Sequence, residues 1–489
     1  MSVTELAQRS FTLHDIQWFA AASGDWNPIH VDPVQARRLL TGEVMVHGMF
    51  TLLWALQVHF ASGGGAVAGI AANFPKPVLV GHRLKLIREP SSDTDTARLC
   101  ILDDDTEVVI VLLTLGGSAM HTLPNNEQPP QEQPEVKHFA ELKGEAGTLS
   151  VTALPDDIQQ AFPQAAQALG VMPVAALMAL SRLVGMRCPG LHSLLAGIDV
   201  RLNPSRTESQ LTWQVSRMSV RQAPLRVSLE GSGIAGRLDA FVRPAPVAQA
   251  SMGEVAFAMT DDASLAGQTA LIVGGSRGLG ELTAKIVAAG GGHAIVTYLH
   301  GAADAERVVA EIIHHGGRAN ALAMDGAHPG CAVAQLASDG VVPTHLYYFA
   351  APRIGGRKGG GFDVLRWQAF SNVFVEAFAG VVHSVKRAAP TLQVFYPSTV
   401  FIDELPAEYA EYVAAKAAGE AVCRHLAQHI PGLGILVRRL PRLPTDQTAG
   451  LIRLATAEPL PLMLNIARDM QSLSFLSRFP TSSSHETQP

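Results

Sequence analysis

The sequence predicts two fold classes in one chain, an α+β region followed by an α/β domain. In the first region, an apolar helix-like stretch at residues 49–60 precedes strand-like runs that are separated by turn residues. From Leu265 onward, strand-like and helix-like segments alternate, which is typical of a doubly wound parallel sheet with helices on both faces. A proline-rich polar stretch at residues 122–134 cannot build a core and indicates a linker between folded parts.

Composition and charge exclude several function classes. The chain has 489 residues, of which 47% are hydrophobic and 16% charged, which is typical of well-packed domains and not of a disordered chain. A net charge of -6 provides no general attraction to nucleic acid or to an anionic membrane surface. The four cysteines are scattered, without the spacing of metal ligands, and no apolar run reaches the eighteen or so residues of a membrane helix. We therefore expect a cytoplasmic protein with reduced thiols, no metal site, and neither a nucleic acid nor a membrane as partner.

The composition breaks predict six segments along the chain. Those expected to fold are 1–121, 148–245 and 265–480; those expected to link them or to be disordered are 122–147, 246–264 and the serine-rich tail 481–489.

The first two folded segments have related patterns. In segment 1–121 the apolar helix is followed by strand-like runs at 66–72, 77–87, 97–102 and 108–115. Segment 148–245 repeats this more faintly, with an apolar helix at 174–184 and later strand-like runs at 211–215, 225–229 and 238–242. The second segment is interpreted as a structural or acyl-binding copy of the first, and a generic α+β domain is the alternative.

Two motifs near the N-terminus carry chemistry. The first reads Ser-Gly-Asp-Trp-Asn-Pro-Ile-His at residues 23–30, and the second is Val-His-Gly-Met-Phe at residues 46–50. A Phe-x-x-Pro-Val-x-x-Gly pattern follows at residues 74–81. Together they resemble the active site of MaoC-type (R)-specific enoyl thioester hydratases, which have the hot-dog fold. The resemblance implies that Asp25 and His30 hold the catalytic water and move its proton, and that the N–H of Gly48 polarises the thioester carbonyl.

Two further motifs lie in segment 265–480. Gly-Gly-Ser-Arg-Gly-Leu-Gly at residues 274–280 follows a strand-like run and opens a helix-like one, which is the context of a dinucleotide-binding loop. Tyr412 and Lys416 are four residues apart downstream. This combination resembles the short-chain dehydrogenase/reductases.

That second resemblance implies a catalytic tyrosine at Tyr412, a lysine that lowers its pKa at Lys416, and a substrate-polarising serine at Ser398. Thr399, the residue after Ser398, is one position nearer the family's usual spacing between this hydroxyl residue and the catalytic tyrosine. The second strand of this domain ends without the acid that NAD specificity needs, and Arg277 precedes Gly278, so NADP(H) is favoured. The residues expected to bind the cofactor are Gly274, Ser276, Arg277, Gly278, Leu279, Gly280, Asp325, Tyr412 and Lys416. Phe-Ala-Ala-Pro at residues 349–352 departs from the family's Asn-Asn-Ala-Gly, and Asn372 is out of register for the family's helical asparagine.

The two resemblances together predict a bifunctional enzyme that acts on 3-oxoacyl, 3-hydroxyacyl and 2-enoyl thioesters of acyl carrier protein or coenzyme A. Such an enzyme would be a hydro-lyase and an NADP-dependent oxidoreductase, with acyl carrier protein as a possible partner and a homo-oligomeric assembly. The alternatives are a hydratase whose second domain binds NADP with weak catalysis, and a noncatalytic acyl-binding module of a synthase cluster.

Overall fold

The computed structural model describes residues 3–39, 41–90, 93–117, 119, 121–203, 206–218, 223–260, 263–355, 361–448 and 455–472. The expected tail 481–489 lies outside the described residues. The chain forms two compact units, one comprising Met1–Ala245 and the other formed mainly by Pro246–Ala449.

The first unit is built on one antiparallel sheet. Its strands, in chain order, are β1 (Thr4–Ser10), β2 (Val67–Asn73), β3 (Arg83–Glu89), β4 (Thr96–Asp103), β5 (Thr106–Leu115), β6 (Asn125–Asn126), β7 (Ala146–Ser150), β8 (Thr152–Ala153), β9 (Ser193–Leu202), β10 (Gln210–Arg217), β11 (Leu225–Gly231) and β12 (Ile234–Val242). Ten of them form a sheet of order β1-β3-β4-β5-β2-β9-β12-β11-β10-β7, and β6 pairs with β8 separately.

The two halves of this sheet have the same topology. In each half a buried helix is followed along the chain by four strands, and the first of these lies at the centre of the sheet. Outward from it come the fourth, then the third and then the second of the four strands. The halves join through antiparallel pairing of β2 with β9, in which Ala71 is opposite Asp199. This pairing satisfies two strand edges that would otherwise expose unpaired backbone groups.

The helices of the first unit include two that are almost completely apolar. They are α1 (Leu13–Ser23), α2 (Pro28–Val31), α3 (Pro33–Ala36), α4 (Gly48–Ala61), α5 (Pro155–Ala161), α6 (Pro163–Leu169) and α7 (Val171–Arg182), with a 3-10 turn at Phe139–Leu142 and a π-helical turn at Leu183–Arg187 after α7. Helices α4 and α7 share one apolar core with both halves of the sheet. Burial on all sides explains why neither helix shows a polar face in its sequence.

The second unit has a parallel sheet of order β15-β14-β13-β16-β17-β18. Its strands are β13 (Thr269–Val273), β14 (His293–Tyr298), β15 (Arg318–Ala323), β16 (His345–Tyr348), β17 (Leu392–Thr399) and β18 (Leu433–Leu440). Its helices are α8 (Met252–Ala258), α9 (Gly278–Ala289), α10 (Ala302–His314), α11 (Gly330–Ser338), α12 (Val364–Ser371), α13 (Phe378–Ala388), α14 (Phe401–Glu404), α15 (Ala410–His429) and α16 (Pro459–Gln471), with a π-helical turn at Asn372–Ala377. The strand order 3-2-1-4-5-6 within this unit is that of a doubly wound dinucleotide-binding fold, as predicted.

Three boundaries differ from the sequence-based prediction. The expected linker 246–264 contains α8, because Ser251 and Glu254 form a capping box and Met252 and Val255 are buried in the core of the second unit. The expected linker 122–147 pairs through β6 and already includes the start of β7. The strand expected at 77–87 begins only at Arg83, because Gly81 has a left-handed backbone (φ 87°) that interrupts an extended run.

No single helix within the described residues is long and apolar enough to cross a membrane. One pair, Pro163–Leu169 with Val171–Arg187, would meet the length and composition criteria together, but it is bent by 112° at its break.

Candidate active sites

The loop between α1 and α2 brings Asp25 and His30 into one buried site. Helix α1 ends at Ser23, and the next residue, Gly24, turns the chain with its left-handed backbone (φ 76°). Asn27 caps α2 by accepting the N–H of Ile29. Asp25 is 2% exposed and His30 is 8% exposed. The five-residue spacing therefore places a carboxylate before a helix cap and an imidazole within the helix that follows, as the sequence predicted for a shared site.

Hydrogen bonding defines the tautomer of His30. Its Nδ1 lies 2.7 Å from the carbonyl oxygen of Met45, which can only accept, so Nδ1 carries a hydrogen and Nε2 is the free base of a neutral ring. Burial lowers the pKa of His30, while the carboxylate of Asp25 opposes this shift. Burial also raises the pKa of Asp25, opposed by His30 and by a hydrogen bond from Ser181. Burial therefore shifts the pKa values of the carboxyl and the imidazole toward each other.

His47 is a third buried group in this site, and the motifs in the sequence predicted no role for it. Its ring stacks on that of His30 with centroids 3.9 Å apart, and its Nε2 lies 3.0 Å from the backbone oxygen of Asp25. Because that oxygen accepts, Nε2 donates, and Nδ1 is left without a partner among the described residues. Burial holds the pKa of His47 well below its usual value, so the ring is neutral.

These three residues also form a possible metal site. Ligand atoms of Asp25, His30 and His47 all lie within 4.8 Å of one another, as do those of Glu89, Cys100 and Glu107 elsewhere in the unit. In the second group Arg98 pairs with both glutamates, which offsets part of their negative charge. The expectation of no metal stays a prediction.

Gly48 begins α4, as the motif predicted. No side chain caps this helix, so its first N–H groups and its dipole are available to an oxygen that gains negative charge. A Cβ at position 48 would approach Phe74 and Leu195 to 3.2 Å, so a larger residue would disturb both. Phe74 belongs to the predicted Phe-x-x-Pro-Val pattern, and Leu195 comes from β9 in the other half of the sheet.

The second half of the sheet contributes directly to this site through the end of α7. Ser181 donates a hydrogen bond of 2.7 Å to Oδ2 of Asp25, and Asn27 donates to the carbonyl oxygen of Gly185 at 2.8 Å. A Cβ on Gly185 would lie 2.1 Å from Oδ1 of Asp25, so only glycine permits this approach. The segment predicted to be noncatalytic therefore helps to build the site. A serine and a glycine near the end of a largely apolar buried helix were the available sequence signal.

In the second unit the glycine loop has the geometry that its motif predicted. Gly274 follows β13 with a left-handed backbone (φ 77°), and a Cβ on Gly280 would lie 2.2 Å from the carbonyl oxygen of Gly274. The backbone N–H of Gly274 donates to the hydroxyl of Thr297 at the end of β14. Helix α9 begins at Gly278 without a side-chain cap, so its N-terminus can receive an anion.

Two other residues expected at the cofactor have protein partners. The guanidinium of Arg277 lies 3.4 Å from the carboxylate of Asp446. Asp325 follows β15 at the same carboxyl edge of the sheet, where a hydrogen bond from the nearby His328 lowers the pKa of Asp325. An incoming phosphate would have to compete with Asp446 for Arg277.

The hydroxyl beside Tyr412 is that of Thr399 and not that of Ser398. The side chain of Thr399 acts on Tyr412 by lowering its pKa, whereas Ser398 donates a 2.6 Å bond to Glu420. Glu420 in turn holds Arg439 in a two-point pair, so Ser398 belongs to a structural network. The catalytic role expected of Ser398 stays a prediction, and neighbouring residues of a strand such as β17 point to opposite faces of the sheet.

Tyr412 and Lys416 lie one turn apart on α15 in an aromatic environment. Tyr412 contacts Phe370 and Phe374 edge-on, and burial raises its pKa to about 12 although Thr399 opposes this shift. Lys416 donates to the carbonyl oxygen of Pro397 at 2.7 Å and lies 3.9 Å from the ring centre of Phe374. Burial lowers the pKa of Lys416 to about 7. The π-helical turn that begins at Asn372 thus places the aromatic ring of Phe374 against the lysine.

Comparison with known proteins decides the family of the N-terminal region. Residues 2–101 match the family model described as MaoC like domain. The chain is 30% identical over 121 residues to the mitochondrial 3-hydroxyacyl-[acyl-carrier-protein] dehydratase of Arabidopsis thaliana, a match that covers 24% of this chain and 73% of that protein. The chain belongs to the MaoC-like family.

A second MaoC-like relative is the 3-hydroxybutyryl-CoA dehydratase of Methylorubrum extorquens, 30% identical over 135 residues that cover 26% of this chain and 83% of the relative. Solved structures also match about 45% of this MaoC-like chain. One is a dehydrogenase/reductase from Sinorhizobium meliloti, with 22% identity, coverage of 45% of this chain and 96% of that one, and a TM-score of 0.40. Another is a short-chain dehydrogenase from Burkholderia cenocepacia in complex with NADP, with 23% identity, coverage of 44% and 96%, and a TM-score of 0.40.

Proposed function

We propose that this chain is a bifunctional enzyme of acyl thioesters. Its first unit interconverts (R)-3-hydroxyacyl and 2-enoyl thioesters, and its second unit reduces 3-oxoacyl thioesters with NADPH. The observation that carries the first activity is the buried Asp25–His30 pair next to an uncapped helix start at Gly48, in a chain of the MaoC-like family. The two relatives are named for an acyl-carrier-protein and a coenzyme A thioester, so either carrier is compatible.

The hydration step uses these groups in defined roles. A water held between the carboxylate of Asp25 and the free Nε2 of His30 loses a proton as its oxygen bonds to Cβ of the enoyl thioester. The N–H of Gly48 stabilises the negative charge that develops on the thioester oxygen. The proton is returned to Cα, so one water is added across the double bond. Dehydration is the reverse. Ser181 and Asn27 act as positioning residues, since they hold Asp25 and its loop.

Ser181→Ala is expected to shift the pH profile of hydration. The Ser181 hydroxyl stabilises the charged form of Asp25 through a charge-assisted bond, so its loss raises the pKa of Asp25 further. As the pH is lowered, Asp25 of the variant is protonated at a higher pH than Asp25 of wild type. The acid limb of the activity profile should therefore move to higher pH. Profiles of kcat/KM for wild type, Ser181→Ala and Ser181→Thr test this, because threonine retains the hydroxyl. An unshifted acid limb in Ser181→Ala would contradict the role.

We also propose that residues 148–245 form a second hot-dog half. The support is that its helix and strands repeat the topology of the first half. The role of this half is to complete the Asp25 site and the surface near Gly48.

The second unit has residues that fit NADP(H). Gly274, Gly278 and Gly280, together with the uncapped start of α9, would hold the pyrophosphate, and Arg277 would meet the 2′-phosphate. When bound, the cofactor would supply the hydride for reduction of the ketone. Tyr412 donates its proton to the developing alkoxide, since its raised pKa keeps the hydroxyl protonated at neutral pH, and Thr399 orients that hydroxyl.

Arg277→Ala is expected to weaken NADPH binding far more than NADH binding, by about 1.5–3 kcal/mol if the contact with the 2′-phosphate is charge-assisted. Asp446→Asn is the matched variant: it removes the competing negative charge while keeping an oxygen for the N–H of Val247, so it should tighten NADPH binding. Titration of both cofactors by intrinsic fluorescence measures the effects. Equal changes for NADPH and NADH would show that Arg277 faces away from the phosphate.

A second candidate function is a hydratase whose other unit binds NADP but catalyses weakly. It is favoured by the position of Lys416, whose ammonium group is engaged by Pro397 and Phe374. A noncatalytic acyl-binding module is the third. Assays of crotonyl-thioester hydration and of NADPH-dependent acetoacetyl-thioester reduction on one preparation, with both carriers, separate them. Both activities support the bifunctional enzyme, hydration alone supports the second candidate, and neither activity supports the third.

A further inference from the structure

Arg243 lies next to the loop that carries Asp25. It follows β12, and its guanidinium donates to the carbonyl oxygen of Leu191 at 2.9 Å. The same oxygen accepts from the side chain of Asn27 at 3.3 Å, two residues beyond Asp25. Its charge reaches His30, where it adds to the effect of burial in lowering the pKa of that ring. The guanidinium therefore shares a backbone acceptor with the loop that carries Asp25, although 218 positions separate it from Asp25 in the sequence.

The positive charge of Arg243 is not balanced by an acid in the described part of the chain. No carboxylate there forms an ion pair with it, and its Nε is buried without a partner. Burial lowers its pKa to about 10. By contrast, Arg226 in the neighbouring strand β11 makes a two-point pair with Asp239. Arg243 is partly buried, and removing a guanidinium from water without a counter-charge costs stability, so an anion at this place would be bound favourably.

His192 offers a second polar group at the same place. Its carbonyl oxygen accepts the backbone N–H of Arg243 at 2.8 Å, and its Nδ1 is buried with no partner among the described residues. Burial lowers the pKa of His192, and the charge of Arg243 lowers it further. An anion that contacts both side chains would relieve this repulsion and supply both missing partners.

We propose that Arg243, together with His192, binds a carboxylate carried by the acyl part of the thioester, so that the preferred substrates are monothioesters of short dicarboxylic acids. This rests on the proposed hydratase function. A carboxylate matches the planar donor pair of a guanidinium. The phosphate of a carrier is a poorer fit, because the pantetheine arm, with its two amide units, puts it on the order of 10 Å from the thioester. Arg243, by contrast, donates to the carbonyl oxygen of Leu191, which also accepts from Asn27 in the loop that holds Asp25.

The test is calorimetric binding of two saturated thioesters that cannot be hydrated, butyryl-CoA and glutaryl-CoA, to the full chain. Wild type should bind glutaryl-CoA at least about tenfold more tightly. Arg243→Met should abolish that difference while leaving butyryl-CoA affinity unchanged, and Arg243→Lys should retain part of it. Arg226→Met is the matched control, since its arginine already has an acid partner, and it should change neither affinity.

Two results would overturn the proposal. One is equal binding of the two thioesters by wild type. The other is an Arg243→Met variant that weakens both CoA thioesters equally but does not weaken butyryl-pantetheine, which has no phosphate, because the anion would then be that of the carrier. Since binding needs no turnover, a chain that discriminates glutaryl-CoA but hydrates no enoyl thioester would refute the hydratase function and leave the carboxylate site standing.

Discussion

Asp25→Asn is expected to lower hydratase activity by a factor on the order of 10²–10⁴, and His30→Ala by a similar factor. Both residues handle the same water, so removing either one disables the transfer of its proton. The double variant should therefore be little worse than the single ones, because residues that act as a unit are strongly non-additive. The measurement is crotonyl-thioester hydration, with NADPH oxidation by acetoacetyl thioester followed in parallel as an internal control that should persist.

Stability separates this catalytic effect from misfolding. The raised pKa of Asp25 means that its charged form is less favourable in the folded chain than in the unfolded one. At neutral pH, Asp25→Asn removes that unfavourable charge and still leaves an oxygen for the Ser181 hydroxyl, so its melting temperature should not fall below that of wild type. Asp32→Asn is the matched control, because Asp32 only caps α3 and asparagine caps equally well. Near wild-type hydration in Asp25→Asn would sink the assignment.

The second large effect is expected from Tyr412→Phe, which should abolish ketone reduction while NADPH binding and folding survive. Phenylalanine keeps the ring contacts with Phe370 and Phe374 and deletes only the hydroxyl that donates the proton. Tyr409→Phe is the matched control on the preceding turn and should reduce at the wild-type rate. Acetoacetyl-thioester reduction by NADPH and a fluorescence titration of the cofactor give the two readouts.

The neighbours of Tyr412 sharpen this test. Thr399→Val should damage reduction, whereas Ser398→Ala should affect mainly stability, because its hydroxyl serves Glu420. Lys416→Ala should lower both turnover and cofactor affinity if the lysine also reaches the ribose. A wild-type chain that binds NADPH but reduces no 3-oxoacyl thioester on either carrier would refute the bifunctional proposal. The contact of Phe374 with Lys416 would then be the first cause to examine.

The sequence by itself determined the element types and the local motifs of this protein. The apolar stretch at 49–60 became α4, the alternation after Leu265 became a doubly wound sheet, and the glycine loop opened α9 after β13. These features follow from hydrophobic periodicity and from backbone needs that act over a few residues, such as the left-handed turn at Gly274. The Asp25–His30 spacing was equally local, because a single capped turn joins the two residues.

Only the tertiary structure decided which distant side chains complete each site. Ser181 lies 156 residues from Asp25 and reaches it because β2 pairs with β9 and brings α7 into the same core. Ser398 bonds Glu420, 22 positions away along the chain, whereas the side chain of Thr399 points to the other face of β17. The unbalanced charge of Arg243 and the pairing of Arg277 with Asp446 depend on which groups are close in space, and residue spacing along the chain carries no information about that.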